Sequence, residues 1–378
     1  MRQPQSLMNL ESSTRLLPTA LQRTPLFERH REMGARLVPF AGWEMPVQYE
    51  GVIAEVRAVR EGCGLFDVSH MGQLRFEGVG VTQWLNTLVS SDWEQTAPGR
   101  AAYALLLNES GGVIDDILGY RLSPDAWLVV LNASRAEVDQ AHFQSYLRDG
   151  IEMSVGGEDA AMIAIQGAQA QDVLQKLIGE SLDQVAWRDV ILLGGATEAV
   201  LARGGYTGCD GFEIMFNADD ALQIWNSLIG CGGVPCGLGA RDVLRLEAGL
   251  PLYGHELRET WTPRESGCGW AVKMDKGEFV GRDALLEKTE ASQSIKALKM
   301  NGKAIPRDGY RVLDLNGEDI GEITSGTSSP TLGCGIALAR LPRELEVGDT
   351  VQIEIRNTKH AAQVVKPPFV ARGRKQIL

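Results

Sequence analysis

No segment of this chain approaches the roughly 18–20 consecutive apolar residues that a membrane span requires, and its first residues lack the apolar core of a secretory signal. Basic charge is short as well. Over 378 residues the formal net charge is −12, so there is no general cationic surface with which to displace counterions from nucleic acid. The six cysteines, Cys63, Cys209, Cys231, Cys236, Cys268 and Cys334, form no C-x-x-C motif, and in a chain this long they suit free thiols in a reducing compartment. Cys231 and Cys236 are close in sequence, but no histidine cluster accompanies them and no metal site is expected. Nucleotide signatures are missing: there is no G-x-x-x-x-G-K-[ST] and no strand–G-x-G-x-x-G–helix unit, and Pro235 interrupts the one glycine-rich run, 231–239. A serine-hydrolase elbow, internal repeats and low-complexity segments are also absent.

What remains is an ordinary globular composition, 44% hydrophobic and 23% charged, long enough for two or three domains with a large buried core. The charge is uneven. Residues 292–378 hold 13 Lys and Arg against 9 Asp and Glu, a net of +4, which leaves −16 on the rest. A mildly basic terminal module would steer an acidic protein partner; a chance excess on a solvated barrel is the plainer alternative. Residues 1–23 carry Arg2, Arg15 and Arg23 with one acid, Glu11. They read as an N-terminal extension of a cytoplasmic bacterial protein, or, if they act as a transit peptide, of a mitochondrial matrix protein.

Regular structure is expected from Thr24, as N-cap with Pro25 in the first helical position, leading a helix over 26–33. Strands are expected at 36–40, 65–68, 73–76, 101–107, 113–122, 127–131, 161–166, 190–193 and 197–202, with a hairpin turn at 108–112. Helices are expected at 50–61, 81–88, 136–147, 168–178, 219–229 and 239–250. The run 41–46 is too rich in Gly, Trp and Pro to be helical. Beyond about residue 290, short apolar runs alternate with Gly, Asn, Asp and Pro at 309–315, 318–325, 335–339, 350–355 and 362–365, the pattern of a small antiparallel barrel. The fold class is α+β: a mixed α/β body followed by an all-β module.

Four stretches carry chemistry-bearing residues between these elements. They are Phe66-Asp67-Val68-Ser69-His70-Met71-Gly72; Gly99-Arg100-Ala101-Ala102-Tyr103 with Gly111-Gly112-Val113-Ile114-Asp115-Asp116; Gly205-Tyr206-Thr207-Gly208-Cys209-Asp210-Gly211-Phe212-Glu213; and Gly237-Leu238-Gly239-Ala240-Arg241-Asp242. Together with Phe40–Pro46, Leu252-Tyr253-Gly254-His255-Glu256 and Gly321–Gly326, they resemble the aminomethyltransferase, or T-protein, of the glycine cleavage system. The resemblance runs from Thr24 to about Lys366. It implies a three-domain cloverleaf around a folate: an extension at 1–23, a folate-binding body at 24–285 with an inserted subdomain at about 72–155, and a barrel at 286–378. It also implies the reaction. The methylene carbon of an aminomethyl group on the lipoyl arm of H-protein passes to tetrahydrofolate, ammonia leaves, and 5,10-methylenetetrahydrofolate forms.

The residues suit that chemistry. A pterin presents adjacent N–H donors that one carboxylate accepts in bidentate fashion, and the resemblance assigns this to Glu213; a solvent-facing strand carboxylate is the alternative. Tyr206 would pack on the folate with a flat apolar face, or else serve as a core tyrosine. Arg241 opens a helix, where the dipole does not favour a cation, and so reads as a folate contact. Tyr103 and Met71 match positions lining the family's folate cavity, although a methionine is also ordinary core filler. Asp116 matches the family's catalytic aspartate, which stabilises developing positive charge and handles protons. Asn132 matches an asparagine near the reacting groups. The resemblance gives Asp115 no role. Strand alternation puts Asp115 and Asp116 on opposite faces, with Ile114, Asp116, Leu118 and Tyr120 sharing one and Val113, Asp115 and Ile117 the other. A shared-proton dyad between the two is therefore not expected.

Cys209 stands where the family commonly has Glu, and 264–266 and 367–370 depart from its pattern, which puts details of the lipoyl entrance in doubt. Three readings compete. A folate domain of the dimethylglycine or sarcosine dehydrogenase type normally accompanies a flavin domain, whose fingerprint is missing. A folate-binding iron–sulfur assembly factor carries K-G-C-Y-x-G-Q-E, which Leu332-Gly333-Cys334-Gly335 does not match. A catalytically dead scaffold is opposed by the intact carboxylates and Arg241.

Overall fold

The computed structural model describes residues 20–157, 159–194, 199–288, 290–371 and the backbone of 374–375. A short helix, Phe27–Glu32, precedes a hairpin of Arg36–Phe40 and Trp43–Gln48. The hairpin turns on Ala41 and Gly42, both at positive φ, as a two-residue primed turn requires. Thr24 does not cap the helix. Its hydroxyl donates instead to the buried Asp67 carboxylate at 2.6 Å, where His30 also bonds at 2.8 Å. An otherwise isolated buried charge outbids a solvent-side cap for that hydroxyl.

The first sheet has six strands in the order Val190–Leu193, Ala199–Arg203, Gly211–Asn217, Ala160–Gln166, Gly64–Asp67 and Val234–Pro235. Only the last pair is parallel. Along Ala160–Gln166, Ala161, Ile163 and Ile165 pack into a core with Trp225 and Phe212, while Met162 and Ala164 pack on the opposite face. Both faces are covered, so the strand reads as a continuous apolar run. Helices Ala170–Ile178 and Ala221–Gly230 cover the first face. The strand expected at 197–202 is Ala199–Arg203, with Thr197 outside the described residues.

After Asp67 the chain leaves this sheet and returns at Ala160 in the neighbouring strand. The excursion builds a five-stranded antiparallel sheet in the order Arg100–Leu107, Val113–Ser123, Ala126–Leu131, Gly72–Glu77 and Glu152–Gly156. Its core stacks Trp93 on Trp127 with ring centroids 4.6 Å apart. Gly119 lies beneath, where a Cβ would come within 2.4 Å of Trp93. The two sheets are stitched edge to edge by Val190 N–H donating to Gly99 and Ala101 N–H donating to Arg188, both at 2.8 Å.

One register shift matters for the site. Leu106 pairs with Asp115, but Leu107 pairs with Val113, so Ile114 is an extra residue in a β-bulge. Ile114 therefore packs in the core that holds Ile117, and Val113 packs in the cluster that holds Leu105 and Leu107. The expected faces hold from Asp115 onward, with Val113 and Ile114 exchanged ahead of it.

The helix Leu238–Glu247 runs between hairpin, sheets and barrel. It starts one residue earlier than expected and ends three earlier, before Gly249 at positive φ. Gly237 lets its N-terminus touch the hairpin backbone; a Cβ there would sit 2.3 Å from the Val47 carbonyl carbon. The closed barrel has strands Gln293–Met300, Cys334–Pro342, Asp319–Ser329, Arg311–Leu313, Thr350–Ile355 and Thr358–Val365, the last pairing back with the first.

Candidate functional site

The site lies where the five-stranded sheet, the first sheet and the helix Leu238–Glu247 approach one another. The pair Leu118↔Val130 extends to place Asn132 opposite Asp116, just past the end of strand Ala126–Leu131. There the Asn132 amide Nδ2 donates to Asp116 Oδ1 at 2.8 Å and to Asp115 Oδ1 at 2.9 Å. One amide thus clamps two carboxyl groups that point to opposite faces, and they do not bond to each other. The second Asp116 oxygen accepts from the Tyr103 hydroxyl at 3.2 Å. Burial pushes the Asp116 carboxyl up to about 6, against the opposing pull of Asn132, Tyr103 and Arg241. A group so placed is ionised near neutrality yet close to exchanging its proton.

Facing it, Glu213 projects from strand Gly211–Asn217 and is buried. Its Oε2 accepts from the Tyr120 hydroxyl at 2.8 Å. Oε1 accepts from no group among the described residues. Burial holds the Glu213 carboxyl above its usual range, opposed by Tyr120 and Arg241. Arg241, on the first turns of its helix, lies over the Tyr206 ring at 4.6 Å. Its guanidinium makes no hydrogen bond or ion pair among the described residues. The field of this cation reaches both Asp116 and Glu213.

Tyr206 comes from the glycine-rich loop 204–210, which Gln166 holds down: its Nε2 donates to the Gly204 carbonyl and its Oε1 accepts from Thr207. A Cβ at Gly205 would strike Gln166 at 2.1 Å, which is why glycine precedes the tyrosine. The Tyr206 hydroxyl donates to the Pro251 carbonyl, so the ring presents its face and not its hydroxyl to the site. Met71 packs in the cluster with Leu118, Tyr120 and Val68. Its neighbour His70 is buried, with Nδ1 unpartnered among the described residues. Burial and Arg241 push the His70 imidazole down to about 4, so the ring is neutral. Cys209, the residue that departs from the resemblance, is buried and accepts from Arg60 at 2.8 Å. Arg60 in turn pairs with Glu247.

Every residue expected from the sequence therefore lies around this one region. Three to which the sequence reading gave no role also belong to it. Trp270 stacks on Tyr103 at 5.3 Å while 61% exposed, forming an outer wall. Asp139 lies behind Asp115, and His70 stands beside Met71. The Gly269-Trp270 dipeptide was a visible signal, and His70 stands in the stretch Phe66–Gly72 singled out above; Asp139 had no such signal. Among the described residues, no group of three His, Cys, Asp or Glu is arranged to hold a metal ion. The surface clefts lined by Ile295 and Leu345, and by Thr260 and Glu287, contain none of these residues. Chemically, the site offers a poised carboxylate, an unpaired cation, a half-satisfied buried carboxylate and aromatic faces. That set suits a flat, polar heterocycle beside an amine.

Comparison with known proteins agrees with that description. Residues 26–276 match the GCVT N-terminal domain, and residues 294–371 match the glycine cleavage T-protein C-terminal barrel domain. The aminomethyltransferase of Thermotoga petrophila is 44% identical over 359 residues, covering 92% of this chain and 98% of the relative. That of a Synechococcus strain is 46% identical, covering 92% and 99%. The crystal structure of glycine cleavage system aminomethyltransferase T from Bartonella henselae superposes with a TM-score of 0.89 at 32% identity, covering 94% of this chain and 99% of that one.

Proposed function

The chain belongs to the glycine cleavage T-protein family of aminomethyltransferases, and on that premise we propose that it moves the methylene carbon of an aminomethyl group from the lipoyl arm of an H-protein to tetrahydrofolate. Ammonia is released and 5,10-methylenetetrahydrofolate forms. The observation that carries the assignment of the site is the pairing of unspent groups around Asp116: the Arg241 guanidinium without a partner and Glu213 with one free oxygen.

The folate supplies the nucleophilic nitrogen. Everything else falls to side chains of this chain. Glu213 takes the pterin's adjacent N–H donors, and its second oxygen stays on Tyr120 to hold the rotamer. Tyr206 and Met71 bound the flat ring, and Arg241, steadied over Tyr206, meets its polar atoms. Asp116, fixed by Asn132 and Tyr103, sits at the amine. There its charge favours the cationic character that develops as the carbon–nitrogen bond breaks, and it orients the leaving amine. Trp270 over Tyr103 shields that carboxylate from bulk water.

We place the folate-binding body at 24–285, with the excursion of about 72–155 as an inserted subdomain, and the barrel at 286–378. The net positive charge of residues 292–378 suits docking of an acidic H-protein, and the free cysteines suit a reducing cytoplasm. The test is ammonia release from aminomethyl-loaded H-protein, with and without tetrahydrofolate. Folate-dependent release is the expected result; a chain that fails to bind tetrahydrofolate refutes the reading.

A further inference from the structure

Asp139 presents a bonding problem that the reaction above leaves untouched. It lies in the first turn of the helix Ala136–Ser145, fully buried, and neither carboxyl oxygen receives a hydrogen bond from any N–H or O–H of the described residues. What it meets instead is the carboxyl group of Asp115, within hydrogen-bonding reach and equally buried. Asp115 is already engaged on its other side. Its Oδ2 accepts from the Asn132 backbone N–H at 3.2 Å and its Oδ1 from the Asn132 amide at 2.9 Å. The same amide holds Asp116.

Two buried carboxylates in contact repel each other and leave oxygens unsatisfied. One proton between them removes the repulsion and gives one Asp139 oxygen a partner. The surrounding charges do not supply an alternative. Arg135 faces Asp139, but its Nε serves the bulged Ile114 carbonyl at 3.0 Å and its Nη2 serves Glu259. Glu259 and Asp116 add negative charge beside Asp139, the Tyr253 phenol is itself held protonated by burial and these acids, and Arg241 acts on Asp116. No cation-binding grouping is present among the described residues. The helix N-terminus favours a carboxylate at Asp139, which sets where the proton rests within the pair but not whether it is there.

We propose that Asp115 and Asp139 share a single proton at working pH, and that this acid pair is a positioning device: it anchors the Asn132 amide, and through it the rotamer of Asp116. Asp139 is then a positioning residue three hydrogen bonds removed from Asp116, by way of Asp115 and Asn132. Burial holds both groups of the pair above the ordinary range; repulsion from Asp139 adds to the rise at Asp115, while the bond to Asp115 opposes it at Asp139, in keeping with one shared proton. Loss of the shared proton at high pH drives the two carboxylates apart and frees Asn132.

The functional half of this proposal rests on Asp116 acting at the amine; the shared proton does not. Carboxyl-carbon NMR of substrate-free protein labelled at aspartate tests the proton alone. Two resonances are expected to titrate together, with the proton still bound at neutral pH. A spectrum in which every aspartate is ionised at pH 7 overturns the proposal. The coupling to turnover is tested with Asp139→Asn, which supplies a permanent donor, and Asp139→Ala, which supplies none. Asp139→Ala should lower kcat about tenfold to a hundredfold, the scale of a misplaced catalytic group, with KM for tetrahydrofolate unchanged. Asp139→Asn should restore most of that loss at neutral pH and lack the alkaline fall of kcat expected of the parent protein. Equal losses in both variants at equal thermal stability, or an alkaline limb unchanged in Asp139→Asn, would overturn the positioning role.

Discussion

The Tyr120 hydroxyl donates to Glu213 Oε2 at 2.8 Å, a bond that adds a link across the site to the edge contacts between the five-stranded sheet and the first sheet. It also opposes burial, which raises the Glu213 carboxyl. Glu213→Ala should weaken tetrahydrofolate binding by about 1.5–3 kcal/mol, the range of a hydrogen bond to a charged group. Tyr120→Phe should act differently. The folded-state pKa of Glu213 then rises further, so affinity, present above that pKa, is lost at a higher pH than in the parent as pH falls. Titration calorimetry across a pH series separates the two; an unchanged affinity in Glu213→Ala removes that residue from the pterin site.

Asp116 is held near 6 from an ordinary value of 3.8. Turnover that needs its carboxylate should therefore fall as pH drops through about 6, giving an acid limb in kcat/KM. Asp116→Asn should abolish ammonia release and leave folate binding largely intact. The same shift has a stability cost. A carboxyl whose folded pKa lies above its unfolded one destabilises the fold as pH rises past the unfolded value, and the penalty is complete above about 6. Asp116→Asn should therefore be more stable than the parent at pH 8, by roughly 1–3 kcal/mol, and this gain should vanish at pH 3–4 in any acid-tolerant melt. Thermal unfolding at several pH values checks it.

The alternation that separates Asp115 from Asp116 was legible because side chains on a strand repeat every two residues. The bulge ahead of them was not: Val113 and Ile114 are equally apolar, and no glycine marks the extra residue. Asp139 reads in the sequence as a solvated acid in a helical first turn, the commonest fate of such a residue. Only the packing of that helix on Asp115 shows that it is buried. Thr24 reads as a cap for the same local reason, and the distant Asp67 claims it. The elements and the barrel were readable from short-range pattern, while the site residues came from the resemblance. Contacts between residues far apart in the chain, such as Trp270 on Tyr103, were not readable.

Arg241 is a half-buried cation with a ring beneath it and no acid paired to it. Such a group stabilises little in the empty site, because burial disfavours its charge. Arg241→Ala should thus leave thermal stability nearly unchanged or slightly higher, while folate binding falls by roughly tenfold or more. Arg241→Lys keeps the charge but loses the planar fork and its stacking on Tyr206, and should recover only part of the affinity. A large loss of stability in Arg241→Ala would mark the residue as structural.

Arg245, one turn further along the same helix, gives the opposite expectation. Its guanidinium is buried and fully engaged: with Asp242, with Glu256 at 3.2 Å, with the Leu250 carbonyl, and with the Ser325 hydroxyl of the barrel at 2.8 Å. Glu256 continues the chain of bonds to Thr324 at 2.6 Å. Removing the cation leaves Glu256 buried without a counter-charge, so Arg245→Met should cost about 3–5 kcal/mol. Removing the anion as well should return much of that loss, since two desolvated charges are then replaced by neutral groups. A thermal-melt comparison of Arg245→Met with the double variant Arg245→Met, Glu256→Gln measures the coupling. If the double variant is no more stable than the single one, the barrel is held to the helix by apolar packing around Leu246, Leu338 and Phe369, and the ion network only sets its registration.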